Sequence, residues 1–283
     1  MDPLRWSPLV LLLAGCAAAS VPAPRESRDA RIVSTNPCAD AILMEIAPPG
    51  RIAAISHYSQ NPQASSIDLA VARRFPATAG TAEEVIALAP DLVIFGSFEP
   101  AASRAAFARA GIRTLPVGVP ATLAEARDQV TQIADAIGEP ARGRALVARI
   151  DAAAADAAPP AGQAPVSALL WHGGGLASGG GTLDDELLRR TGFRNAAADY
   201  GLHFTSYLPL EQVVARPPRV MLTPPPGSGM GDEGRLRRMR QRAIAQSGTT
   251  IEAPFPERLS WCAGPVAIRA LQRLAQIRRG IPS

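Results

Sequence analysis

Few side chains in this sequence are suited to chemistry. Three histidines (His57, His172, His203) and three cysteines (Cys16, Cys38, Cys262) are spread over 283 residues. None stands in an HExxH, CxxC, GxSxG or phosphate-loop pattern. Ser206 and Ser260 have no base at a meaningful spacing. The glycine-rich run from Gly173 to Gly181 lacks the phosphate-loop pattern and reads as a flexible turn. Asp184, Asp185 and Glu186 read as first-turn acids of the helix that follows, where the helix dipole favours negative charge. The expectation is a protein that binds, performs no catalysis and carries no resident cofactor.

The residues that remain point to binding. His57 and Tyr58 follow an apolar run, Ser97, Phe98 and Glu99 follow a second, and Trp171 and His172 end a third. Tyr207 and Trp261 lie in similar places further on. Open α/β sheets bind ligands outside the carboxyl ends of their strands. Aromatic rings suit a large planar ligand there, because they offer broad, rigid apolar faces.

These residues have to be positioned by strands and helices in alternation. Strands are expected at Arg31–Ser34, Arg51–Ser56, Leu92–Phe95 and Thr114–Val117. Helices are expected between and after them at Cys38–Ile46, Asp68–Ala72, Ala82–Leu88 and Ala101–Ala110. The unbroken apolar run at Leu92–Phe95 fits a parallel strand buried on both faces. Two consecutive helices follow, Thr122–Ile137 and Pro140–Ala157, with no strand between them. Alternation then resumes, with strands at Val166–Trp171 and Val220–Thr223. Helices in this half are expected at Leu183–Thr191, Leu210–Ala215, Gly234–Gln246 and Pro265–Arg278. The expected fold is α/β, with two Rossmann-like lobes of parallel sheet joined by a long helical linker. The lobes are expected at residues 30–119 and 161–283, with the linker at 120–160.

Composition agrees with a folded, exported chain. Hydrophobic residues make up 47% and charged residues 19%, enough for a sizeable core. The net charge of +4 is mild, and the arginine run Arg235, Arg237, Arg238, Arg240 and Arg242 has no interleaved aromatics, so no nucleic-acid partner is expected. The short apolar stretch Val10–Leu13 ahead of Leu13-Ala14-Gly15-Cys16 reads as a secretory signal peptide. Cleavage before Cys16 would leave a lipidated cysteine, and cleavage after Ala19 a free Ser20. Residues 1–19 are assigned to the signal peptide and 20–29 to a tether. Export places Cys38 and Cys262 in an oxidising compartment, where they pair, bind a metal or stay as packed thiols. Their wide spacing leaves all three open.

Three segments carry a family resemblance. Ile55–Pro62 (ISHYSQNP) is similar to the region after the second strand of the vitamin-B12-binding periplasmic receptors. Thr81–Ile94 (TAEEVIALAPDLVI) resembles their helix-to-strand segment, and Leu210–Pro217 (LEQVVARP) its second-lobe counterpart. The likeness runs from about Arg31 to Arg278. It implies a class III periplasmic binding protein, the group whose rigid helical backbone joins two lobes and which includes receptors for cobalamin, ferric siderophores and haem. It implies a monomeric substrate-binding component of an ABC importer, with membrane permease subunits as partners and a small metal chelate as cargo. Residue by residue, Tyr58 aligns with a tyrosine that contacts cobalamin, and Phe98 lies near a first-lobe tryptophan contact. Glu211 aligns with a glutamate that docks on permease arginines, and Glu99 is taken as its first-lobe match. The sequence also departs from the pattern. Arg258 and Cys262 stand where those receptors present an acid and an arginine, and Thr205 or Tyr207 replaces a second-lobe tryptophan. Cys38, Cys262 and His57 are expected to face the ligand, as soft donors for a metal if the thiols are free.

Overall fold

A computed structural model describes residues 30–225, 241–242, 248 and 250–281. The expected signal peptide, tether and Cys16 lie outside them, as does most of the expected helix Gly234–Gln246 with its arginine run.

The first half builds a parallel sheet from β1 (Ile32–Ser34), β2 (Ile52–Ser56), β3 (Ala77–Thr78), β4 (Leu92–Gly96) and β5 (Arg113–Val117). The order is β3-β2-β1-β4-β5. Leu92 to Phe95 are all buried, as an unbroken apolar run at the centre of a parallel sheet requires. Helices α1 (Pro37–Ile46), α2 (Leu69–Ala72), α3 (Ala82–Ala87) and α4 (Ala101–Arg109) connect the strands. Their starts are fixed locally. Asn36 Oδ1 accepts the Cys38 and Ala39 N–H groups, and Pro37 fills the first helical position, where an N–H would go unused. Thr81 caps α3 by accepting the Glu84 N–H.

Helices α5 (Leu123–Ala136) and α6 (Pro140–Asp156) then run with no strand between them, as expected. The second half forms another parallel sheet from β6 (Val166–Leu170), β8 (Phe193–Asn195), β10 (Val220–Thr223) and β11 (Ile251–Pro254), in the order β11-β10-β6-β8. It carries α7 (Leu183–Arg190), α8 (Leu210–Ala215) and α9 (Pro265–Arg279). The expected α/β architecture of parallel sheets is borne out. Five short strands were not expected: β3, β8, β11 and the antiparallel pair β7 (Leu176–Ser178) and β9 (Thr205–Tyr207). Each has two to four residues, too few to display a period.

The glycine-rich run is thus partly strand. A Cβ at Gly179 would stand 2.5 Å from the Phe204 carbonyl oxygen, so this glycine lets the 202–204 backbone lie against it.

One hydrophobic core runs through both halves. Ile42 and Ile46 of α1, Val130 and Ile133 of α5, Leu146 and Ile150 of α6, and Leu271 and Leu274 of α9 are buried in the same cluster. Helix α6 packs on α1, α5 and α9, so it touches elements of both halves. At Gly264 the backbone is left-handed (φ 59°), and an added Cβ would stand 3.0 Å from Ile42 Cγ1. The start of α9 thereby presses onto α1. Moving the halves apart would expose several of these side chains, at about 1.5–3 kcal/mol each. That cost favours a fixed frame over a wide hinge.

Candidate functional site

Each parallel sheet has one place where the strand order reverses, and such a crevice collects ligands in open α/β sheets. In the first sheet it falls between β1 and β4, and in the second between β6 and β10. The residues expected to bind are distributed around these two points, with different fates.

In the first half, Tyr58 and Phe98 are solvent-facing, at 50% and 90% exposure. Tyr58 lies in a 3₁₀ turn directly after β2, and Phe98 in the turn after β4. His57 is exposed and stacks on Tyr58, with ring centroids 4.0 Å apart. Its Nδ1 lies 3.2 Å from the Thr78 carbonyl oxygen. A carbonyl only accepts, so Nδ1 carries a proton, and in the neutral ring Nε2 has the lone pair. A backbone carbonyl fixing one ring nitrogen in this way is the usual support of a metal-binding histidine. Ser97 is exposed beside Phe98 and donates to the Val117 carbonyl.

In the second half, Tyr207 of β9 is 65% exposed. Phe204, which sequence reading missed, is 68% exposed and holds a left-handed backbone (φ 57°). Two backbone bonds clamp it there, Phe204 N–H to the Gly180 carbonyl and Gly179 N–H to the Phe204 carbonyl. A non-glycine residue in this region costs about 1–2 kcal/mol. No motif announces such a residue; an aromatic in a polar loop beside Tyr207 was the only sign.

Other expectations are corrected. Trp171 is 7% exposed and packs in the second-half core with Leu169, Leu208, Val213 and Met221, its backbone bridged to Ala177 of β7. His172 is tied inward, its Nε2 2.8 Å from Ser178 Oγ, which donates to Asp184 Oδ2 at 2.7 Å. These three groups do not form a hydrolytic triad. Ser178 is 1% exposed, and its proton is held by the carboxylate it would have to be freed from. Burial pushes the Asp184 carboxyl above its usual range, with the His172 charge opposing. Asp184 therefore does more than serve as a first-turn acid of α7.

Cys38 and Cys262 are bonded to each other, with Cα atoms 5.1 Å apart. The sulfurs are therefore not metal donors, and of the three soft ligands considered only His57 keeps a free donor. The disulfide joins the start of α1 to a residue three positions ahead of α9, and so links the two halves. Trp261, half-buried against the common core, precedes it. A second link runs alongside, where Ser66 Oγ donates to the Arg258 carbonyl at 2.7 Å and the Arg269 guanidinium donates to the Ser66 carbonyl. The Arg258 side chain is exposed.

Glu99 does not fit a docking role. Its Oε2 accepts from Thr35 Oγ1 at 3.2 Å, and its Oε1 is buried with no partner among the described residues. A carboxylate that docks on another protein must stand in solvent. Glu211 does, in the first turn of α8. The matching place in the first half is Glu83, exposed in the first turn of α3. Helix α3 leads into β4 as α8 leads into β10, and each of those strands pairs with the first strand of its sheet.

Two parallel sheets, each with one switch point, and one helical frame through both define a two-lobed α/β protein. The periplasmic binding protein family model matches residues 32–251, and the chain belongs to that family. Solved structures agree on the fold. The periplasmic heme-binding protein RhuT from Roseiflexus sp. RS-1, in apo form, superimposes with a TM-score of 0.67 at 23% identity, over 88% of this chain and 96% of that one. The vitamin B12-binding protein BtuF of Vibrio cholerae gives 0.65 at 19% identity, over 89% and 97%. A periplasmic heme-binding protein from Pseudomonas aeruginosa gives 0.66 at 22%, over 89% and 94%. No curated protein sequence matches. The family and these structural neighbours are binding proteins and not enzymes. No helix among the described residues is long and apolar enough to cross a membrane.

Proposed function

We propose that this protein is the substrate-binding component of an ABC importer and that it captures a flat metal chelate, cobalamin or a related ring, between its lobes. The observation that carries this reading is the set of exposed aromatic rings on both lobes, Tyr58 and Phe98 in the turns after β2 and β4 and Phe204 and Tyr207 at β9. A ring of this size offers roughly 150–250 Å² of surface, and leaving four of them in water forgoes apolar burial that a planar ligand would restore. His57 Nε2 adds a donor for the chelated metal. Haem and ferric siderophores belong to the same ligand class and form the second reading, supported by the heme-binding relatives in fold. The loaded receptor would dock on its permease through Glu83 and Glu211, whose two positions register the lobes over a basic gate. A lipid on Cys16 would hold it at the membrane surface, one acyl chain and a diacylglyceryl group being enough for stable anchoring.

The test is an absorbance titration of the mature, oxidised protein with cyanocobalamin, hemin and a ferric hydroxamate. One of the three is expected to bind at one per protein, at about micromolar affinity or tighter. Charge reversal at Glu211 should leave that titration unchanged and abolish uptake. Absence of binding by all three would overturn the chelate reading.

A further inference from the structure

We infer that Gly175 is a positioning residue for ligand capture: the Tyr207 ring rests on its bare backbone, which seats the ring before a ligand arrives and leaves most of it open to cover a flat chelate. This rests on the chelate reading above and adds how one of its rings is set in advance.

Residues 171–175 carry the chain from β6 into β7, and they are tied down at several points. The Gly173 N–H donates to Oε1 of Glu257, a buried acid in the turn after β11. The His172 N–H donates to the Leu176 carbonyl at 2.7 Å, and the Gly175 carbonyl accepts the Leu208 N–H at 2.9 Å. Leu176 stands opposite Tyr207 in the β7–β9 pair. These bonds fix Gly175 beside the Tyr207 side chain.

The contact leaves no room for another side chain. A Cβ at Gly175 would stand 2.8 Å from Tyr207 Cε2 and 3.3 Å from Cδ2. Carbon atoms pack at about 3.5–4.0 Å, so the ring already occupies that space. Gly175 is also left-handed (φ 83°), a region that glycine enters without steric cost. Both demands select the same residue. The Tyr207 ring is nonetheless 65% exposed, so the contact takes up one part of it and leaves the rest in solvent.

Such a seat matters for affinity. A side chain that moves freely in the unbound protein loses rotamer freedom when a ligand covers it, and that loss weakens binding. A tyrosine already lodged against a backbone has less freedom to lose. Gly175 thus raises affinity with no ligand contact of its own, acting only through Tyr207.

The experiment is a double-mutant cycle on the mature protein. The parent, Gly175→Ala, Tyr207→Ala and the two together are each titrated with cyanocobalamin and hemin. In the parent background Gly175→Ala displaces the ring, and affinity for the ligand that binds should fall about three- to tenfold. With Tyr207 already cut to alanine, the same substitution should change affinity by less than about twofold. Alanine at a left-handed position lowers the thermal midpoint in both backgrounds, so a merely structural role would weaken binding equally in both. A ligand-free readout accompanies the cycle. The chain has three tyrosines, Tyr58, Tyr200 and Tyr207, and 3-fluorotyrosine labelling reports on each by fluorine NMR. Gly175→Ala should shift the Tyr207 resonance, identified by its absence from Tyr207→Phe, and leave the other two in place. An equal loss of affinity in both backgrounds, no loss in either, or an unmoved Tyr207 resonance overturns the role of Gly175 while the chelate reading stands. If neither ligand binds the parent, the chelate reading itself fails and takes this inference with it.

Discussion

The Cys38→Ser/Cys262→Ser double variant should unfold roughly 10–20 °C below the oxidised parent, by far the largest effect of any pair of substitutions considered. The two cysteines are separated by 224 positions, so their bond closes most of the folded chain into one loop. Closing a loop of this length removes about 5 kcal/mol of conformational entropy from the unfolded state. Because the link is between the lobes, its loss should also loosen their relation. The Ser66–Arg258 contact and the shared core would remain, so the folded state persists. Thermal unfolding followed by circular dichroism, with and without a dithiol reductant, checks both points. A midpoint within about 3 °C of the parent would mean that the staple contributes little beyond the helical frame.

The second large effect concerns Asp40. This residue lies in the first turn of α1 and is fully buried, and its Oδ2 accepts from the Ser56 N–H at 2.9 Å and from Ser59 Oγ at 2.6 Å. Desolvation outweighs these bonds and raises its pKa from 3.8 to about 7. The folded state therefore holds a proton that the unfolded chain releases near pH 3.8. Stability from this group is fully present below that value and is lost as pH rises to about 7, where the folded carboxyl ionises too. The loss amounts to roughly 4 kcal/mol at most. Asp40→Asn cannot ionise, and its amide oxygen can still accept the Ser56 N–H. Denaturant midpoints measured at about pH 4.5 and about pH 8 should show the variant gaining roughly 3 kcal/mol on the parent between the two. Equal shifts in parent and variant would show that Asp40 does not titrate in this window.

The two lobes could be read from the sequence because their longer elements repeat a simple alternation. Leu92–Phe95 is apolar throughout, as a strand covered on both faces must be. Thr122–Ile137 shows an apolar three-and-four period and ends at a glycine, as a helix should. The site was less legible, for reasons of geometry. The positions of Tyr58, Phe98 and Tyr207 at strand ends could be inferred, but burial separates them from Trp171, which has the same residue type and the same place after a strand. Phe204 depends on a backbone conformation that only its pairing with Gly179 and Gly180 enforces. The Cys38–Cys262 bond depends on how α1 meets α9, and spacing carries no record of that. Glu99 and Glu83 are told apart for a similar reason. Both are acids near a helix start, and only the structure shows that Glu83 stands in solvent while one oxygen of Glu99 is buried.

If aromatic faces on both lobes hold a planar chelate, removing those faces should release it. Calorimetric titration tests it most directly, comparing the mature protein with the Tyr58→Ala/Phe98→Ala/Tyr207→Ala variant against whichever of cyanocobalamin and hemin binds the parent. All three side chains are largely exposed, so their truncation should leave the unfolding midpoint nearly unchanged. Affinity should fall by about a hundredfold or more, with a smaller negative heat-capacity change on binding because less apolar surface is covered. An affinity within about threefold of the parent would contradict it, and would place the ligand away from these rings.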